Sequence, residues 1–152
     1  MLENWTDVLF DTLTEAALAL DGELRLIAIN TAALKLYGVT RSWAVGRHLT
    51  ELIGNELDPQ VSQSGWETIN RGEVWRGIVW HRSPTGRRFR AELSVRGLSS
   101  ENGMQTLIAV VRDVTLEEAR RIRQAVLTNT LRAVAEAKTP EAVQTATLEG
   151  LT

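Results

Sequence analysis

No cysteine occurs among the 152 residues. That absence excludes disulfides, thiolate metal sites, cysteine nucleophiles and any cofactor held through a cysteinyl bond. The chain also lacks an uninterrupted apolar run approaching the roughly 20 residues that span a bilayer. Its start, MLENWTDVLF, has neither the basic nor the apolar region of a signal peptide. These two absences predict a cytoplasmic segment without membrane contact. A formal net charge of -2 gives no general attraction to nucleic acid or to an anionic membrane. Missing too are a glycine-rich phosphate loop and the serine, histidine and carboxylate spacing of a nucleophile motif, so no catalysis is expected within the segment. His48 and His81 lie far apart without neighbouring ligand spacing, which predicts no metal site.

What is present fits one domain and an appendage, since a single core uses roughly 100 to 200 residues. Asn4 can cap a short helix whose Trp5, Val8, Leu9 and Leu13 form one apolar stripe. Two apolar runs then flank Asp21-Gly22, a dipeptide typical of a tight hairpin, and predict strands at about 16 to 20 and 24 to 29. Asn30 caps the next helix, TAALKLYG, which Gly38 ends; Ala33, Leu36 and Tyr37 supply its buried side. Short helical turns follow, anchored by Trp43, Val45, Leu49, Leu52 and Ile53. Asp58-Pro59 opens a further helix to about Asn70.

Three longer strands come next, EVWRGIVWHR, RRFRAELSVRG and MQTLIAVVRDV, joined by SPTG and SSENG. In the middle one Phe89, Ala91, Leu93 and Val95 share a face opposite to Arg88, Arg90, Glu92, Ser94 and Arg96. The outer two carry Ile78, Trp80, Ile108 and Val110 on the side away from that apolar face, so both faces there need cover. The amino-terminal helix is the natural second layer, packed on its own sheet or on a neighbour's. This order predicts an α+β domain with an antiparallel sheet and helices on one face.

After Asp113-Val114-Thr115 the pattern changes from strand to charged helix without glycine or proline. Thr115 and Glu118 have capping-box spacing, with the Thr115 hydroxyl placed for the Glu118 amide. Ala119, Ile122, Val126, Asn129 and Ala133 repeat at alternating spacings of three and four, a modest coiled-coil seam. Two readings fit: a parallel homodimer through this helix, with the amino-terminal one beside it, or a helix folded back on its own domain. Thr139-Pro140 then starts another helix.

Over about residues 4 to 116 the chain resembles a PAS domain, a sensory module. The resemblance rests on IAINTAALKLYGVT, the Val45-Gly46 step, GEVWRG, the SPTGRRF hairpin and the closing Asp113-Val114-Thr115. It implies a five-stranded antiparallel sheet whose concave face and covering helices enclose a pocket. It also implies that the last strand hands over to a signalling helix leading to a downstream domain. The expected organisation is a flanking helix at 1–14, the PAS domain at 15–115, a signalling helix at 116–138 and a further helix at 139–152. LRAVAEAKTPEAVQTATLEGL is similar to the opening of a GAF domain, while a simple helical hairpin fits it equally. The parent implied is a sensor histidine kinase first and a diguanylate cyclase second.

Strand parity nominates Gly77, Val79, His81, Phe89, Ala91, Leu93, Val95, Leu107, Ala109 and Val111 as inward-facing, with Trp66 and Ile69 above them. Such a lining suits an apolar or aromatic ligand, or simply a filled core. His81 is its one ionisable group and can serve as a ligand contact or pH sensor, or be satisfied by a carbonyl. Among cofactors of the family, a photoactive flavin adduct needs the missing cysteine. Haem is disfavoured because residues 58–70 contain no histidine. A non-covalent flavin or a small apolar ligand remains open. The arginines of GRRFR predict a solvated strand face rather than a nucleic-acid site.

Overall fold

Asn30 organises the amino-terminal half, and its amide explains how. In the computed structural model, which describes residues 8–99, 103 and 105–137, Asn30 is fully buried with both polar atoms used twice. Its Oδ1 accepts from the Ala33 amide at 3.0 Å and the Ala17 amide at 2.9 Å; its Nδ2 donates to the Phe10 and Glu15 carbonyls. One side chain thus caps helix α1 (Thr31–Tyr37) and ties it to strand β1 (Ala16–Leu20). Gly38 ends α1 at φ 68°, a left-handed conformation that favours glycine.

Strand β2 (Leu26–Ile29) pairs with β1, but the reversal is a loop from Asp21 to Arg25 rather than a two-residue turn. The Asp21 carboxylate accepts the amides of Glu23 and Arg25, and Leu24, not Gly22, takes the positive φ of 62°. Local side-chain bonding outweighs the dipeptide's own turn preference here. Helices α2 (Arg41–Ala44), α3 (Leu49–Ile53) and α4 (Pro59–Asn70) follow, capped by Thr40, His48 and Asp58. Val45, expected as an anchor, is exposed, and Ala44 beside it is buried instead.

Strands β3 (Trp75–Arg82), β4 (Arg88–Ser99) and β5 (Gln105–Asp113) complete a five-stranded antiparallel sheet in the order β2-β1-β5-β4-β3. Register places Leu18, Ala109, Val95 and Trp75 in one row across four strands, with Ala16, Val111, Leu93 and Gly77 in the next. These rows form the inner face, and the helical side chains Tyr37, Leu52, Ile53 and Ile69 join them in one core. Gly77 has a packing reason: a β-carbon there would sit 2.8 Å from the Trp75 ring, which lies over it.

The outer face is open among the described residues of the single chain. Ile78 and Trp80 remain more than a third exposed, and Val8, Leu9 and Leu13 are exposed as well. Residues 8–12 are helical, and the Asp11 carboxylate there accepts from the Thr31 amide and pairs with Arg41 at 2.9 Å. They are fastened to the start of α1. Trp5 and the further helix at 139–152 lie outside the described residues.

The first compact unit ends at Thr115, and a second begins at Leu116. Helix α5 (Thr115–Ala137) has no buried residue. Its exposed apolar residues form two rows, not one. At roughly 100° per residue, Ala119, Ile122, Val126 and Ala133 share one face; Leu116, Leu127, Leu131 and Val134 share another. Among the described residues no helix is long and apolar enough to cross a membrane.

Candidate functional site

Alternation along β3 turns His81 inward, and the register sets it opposite Phe89 on β4. Helix α1 brings Tyr37 over the same point. The Tyr37 hydroxyl lies 2.9 Å from His81 Nδ1, and both residues are almost wholly buried. Phe89 stands edge-on to His81 at 5.7 Å between centroids and tilted against Tyr37 at 5.6 Å. Aromatic packing of this kind holds all three rings in place.

Burial disfavours charge on both polar members. It lowers the His81 pKa to about 4 and raises that of the Tyr37 phenol, so both are neutral near pH 7. With Nδ1 engaged by Tyr37, the other ring nitrogen, Nε2, is buried without a hydrogen-bond partner. Such an atom is uncommon, because an unmet buried donor or acceptor costs about 1–3 kcal/mol.

His81 also borders a cavity of about 110 Å³ between the sheet and α4. Of the residues nominated from sequence, Trp66, Ile69, His81, Leu93, Val95, Leu107, Ala109 and Val111 line it. Val79, Phe89 and Ala91 face inward as expected but pack in the core beside the cavity rather than on its wall. The lining also takes residues not nominated from sequence, among them Leu18, Leu20, Val61, Trp75 and Leu57. Trp75 shares the parity of Gly77 and His81, a signal that could have found it; Leu57 sits in a segment without period. Ser62, His81 and the two indoles are the polar side chains of the lining.

A second constellation lies at the end of β5. The Asp113 Oδ1 atom accepts from the Thr115 amide at 3.0 Å and from the Thr115 hydroxyl at 2.7 Å. The same hydroxyl accepts from the Arg90 amide at 2.9 Å, and the Arg90 carbonyl accepts from the Val114 amide at 2.9 Å. Thr115 therefore reaches back to the sheet, and Asp113 supplies the acceptor for the first helical amide. The other Asp113 oxygen pairs with Arg87. Burial alone would raise the Asp113 pKa, but the two Thr115 bonds and Arg87 outweigh it and hold the carboxyl below its usual value. Val114, the one residue between strand and helix, is buried.

The arginine cluster is paired rather than merely solvated. Glu56 binds Arg82 at 2.9 Å and Arg88 at 2.8 Å, and those hydrogen bonds lower its pKa. Arg88 and Arg90 stack over the exposed Trp80. Sequence spacing gave no hint of Glu56, which arrives from a distant loop.

Comparison with known proteins bears on this geometry. A sequence profile of the PAS domain matches residues 15–116. No curated protein matches the chain. Among solved structures, a PAS domain from a two-component sensor histidine kinase is 19% identical with a TM-score of 0.61, covering 74% of this chain and 96% of that one. The LOV domain of a blue-light activated histidine kinase from Erythrobacter litoralis is 22% identical with a TM-score of 0.58, covering 68% and 98%. An RNA-binding light-oxygen-voltage receptor is 20% identical with a TM-score of 0.71; the match covers 86% of this chain and only 37% of that one.

Several of these neighbours are light-oxygen-voltage domains, one of them described with a flavin analogue, which sets a size to hold against the cavity here. Its 110 Å³ is well below the roughly 300–1,000 Å³ of pockets that enclose drug-sized ligands.

Proposed function

The chain belongs to the PAS domain family, and from that premise we propose that it is the sensory and dimerisation module of a cytoplasmic signal-transduction protein. A histidine kinase is the favoured output and a diguanylate cyclase the next. Occupation of the inner sheet face by a small molecule or a partner shifts the packing of β5. The strand then displaces the helix it holds through Asp113, Val114 and Thr115. A sensor of this kind is not itself catalytic.

The observation that carries this reading is the junction after β5. A single buried residue separates strand from helix, and hydrogen bonds to Arg90 and Asp113 fix both of its neighbours. Displacement of the strand end therefore has no slack segment in which to dissipate. Two chains pair through Ala119, Ile122, Val126 and Asn129, a row that stays exposed in the single chain. Spin labels on α5 of paired chains test the mechanism. The interhelical distance is expected to change when the cavity is filled, and an identical distance with and without occupant defeats it.

One observation favours a second reading. The cavity is small, as in a core that is nearly filled, which suits a constitutive dimerisation domain. Under that reading α5 pairs identically whatever is added, so the same distance measurement separates the two.

A further inference from the structure

Charge is segregated along this chain. The first 24 residues carry six carboxylates and no lysine, arginine or histidine. On the outer face of the sheet the balance is reversed. Register places Arg76 and Arg82 of β3, Arg88, Arg90 and Arg96 of β4 and Arg112 of β5 on the side away from the core, with Glu92 among them. Glu92 pairs with Arg112, and Glu56 with Arg82 and Arg88. Arg76 and Arg96 are exposed and meet no carboxylate among the described residues. They are diagonal neighbours across the β3–β4 ladder, about 7–8 Å apart. Beside them Ile78 and Trp80 are more than a third exposed.

A nucleic acid needs open aromatic faces for its bases, but the Trp80 ring carries the Arg88 and Arg90 guanidiniums at 4.0 and 4.8 Å. An acidic segment with apolar side chains fits better, and this chain has one: Val8, Leu9 and Leu13 are exposed between Asp7 and Glu15. Its own sheet is out of reach. Asp11 fastens residues 8–12 beside the end of β2, and β3 lies four strand spacings from there, about 19 Å. The seven residues before Val8 span only about 10 Å as helix. We propose that the acidic amino-terminal segment of one copy lies on the arginine face of a second copy, with Glu3 and Asp7 meeting Arg76 and Arg96 and the apolar side chains covering Ile78 and Trp80. Exchange about a two-fold axis gives each copy one donated and one received contact, so the interface closes. The proposal rests on the dimerisation reading above. Exposed ion pairs contribute little each, so this contact reinforces the α5 row rather than replacing it, and salt weakens it.

The test is a charge exchange read by sedimentation equilibrium of the full chain. R76E/R96E and E3R/D7R should each weaken dimerisation roughly tenfold on their own, and an equimolar mixture of the two should return to the native constant, because opposite charges then meet only between copies. High salt should weaken the native dimer and leave either variant nearly unchanged. R76Q/R96Q, which adds no repulsion and leaves folding undisturbed, should weaken pairing in the same direction. Dimerisation indifferent to all these changes overturns the proposal, as does a mixture no tighter than its components. Binding of a single-stranded oligonucleotide that R76E/R96E abolishes would also overturn it, by assigning the face to nucleic acid. The reading it rests on fails differently: a native chain that stays monomeric at every concentration and salt defeats both, whereas a dimer insensitive to the charge changes but broken by I122D/V126D defeats this contact alone.

Discussion

Acidification should weaken the fold through His81, and the size of the effect follows from its burial. The side chain is 2% exposed and its pKa falls to about 4, against about 6.5 in an unfolded chain. Above about pH 6.5 neither state binds a proton, so the contribution is fully present. Between about pH 6.5 and pH 4 the unfolded chain binds a proton that the folded chain refuses, so stability falls as pH falls; below about pH 4 both bind it and the loss is complete. Integrated from about pH 7 to about pH 5, a range in which ordinary carboxylates stay ionised, the loss is about 2 kcal/mol. Urea unfolding at the two pH values measures it directly. His81→Phe strands the Tyr37 hydroxyl and lowers stability at every pH, but it should also flatten the pH dependence, as should Y37F/H81F. Equal slopes in native and variant chains would refute the assignment of a neutral, buried imidazole.

Other contacts carry consequences of their own. Asp113→Ala removes the acceptor of the Thr115 amide and the partner of Arg87, and should cost about 1–2 kcal/mol after allowance for partial exposure, with faster amide exchange confined to the first turn of α5. Gly77→Ala places a methyl against the Trp75 ring and should cost about 1–3 kcal/mol; an unshifted Trp75 indole resonance would contradict it. Ala109→Val adds two methyl groups at the cavity wall and should leave the fold intact, as read by thermal unfolding; a loss of more than about 1–3 kcal/mol would contradict open space there. The double change I122D/V126D should turn a dimer into a monomer in sedimentation experiments, and an unchanged sedimentation coefficient would move the interface elsewhere.

Elements governed by local chemistry were legible in the sequence. Asn30, Gly38 and Asp58-Pro59 mark helix ends because capping acts within a few residues. The alternation of β4 assigned its buried face because the strand period is two. What escaped depends on residues far apart in the chain. Glu56 meets Arg82 and Arg88 across a loop, and Thr115 turns to the Arg90 amide only because β4 and β5 are in register. The reversal at Asp21 failed for a subtler reason: the aspartate carboxylate bonded two later amides and moved the left-handed residue to Leu24. Pocket parity was visible from spacing, whereas the difference between a cavity wall and a packed core required the helices in place. The row of Leu127, Leu131 and Val134 lies about a third of a turn from the first and falls outside its heptad positions.

Hydrogen exchange at the joint tests the central claim most directly. The Val114 and Thr115 amides, bonded to Arg90 and Asp113, should exchange with the same opening free energy as the paired amides of β4 and β5, as one cooperative unit. Exchange at these two positions as fast as that of a fraying helix end, with the sheet still protected, would mean that strand and helix are mechanically separate.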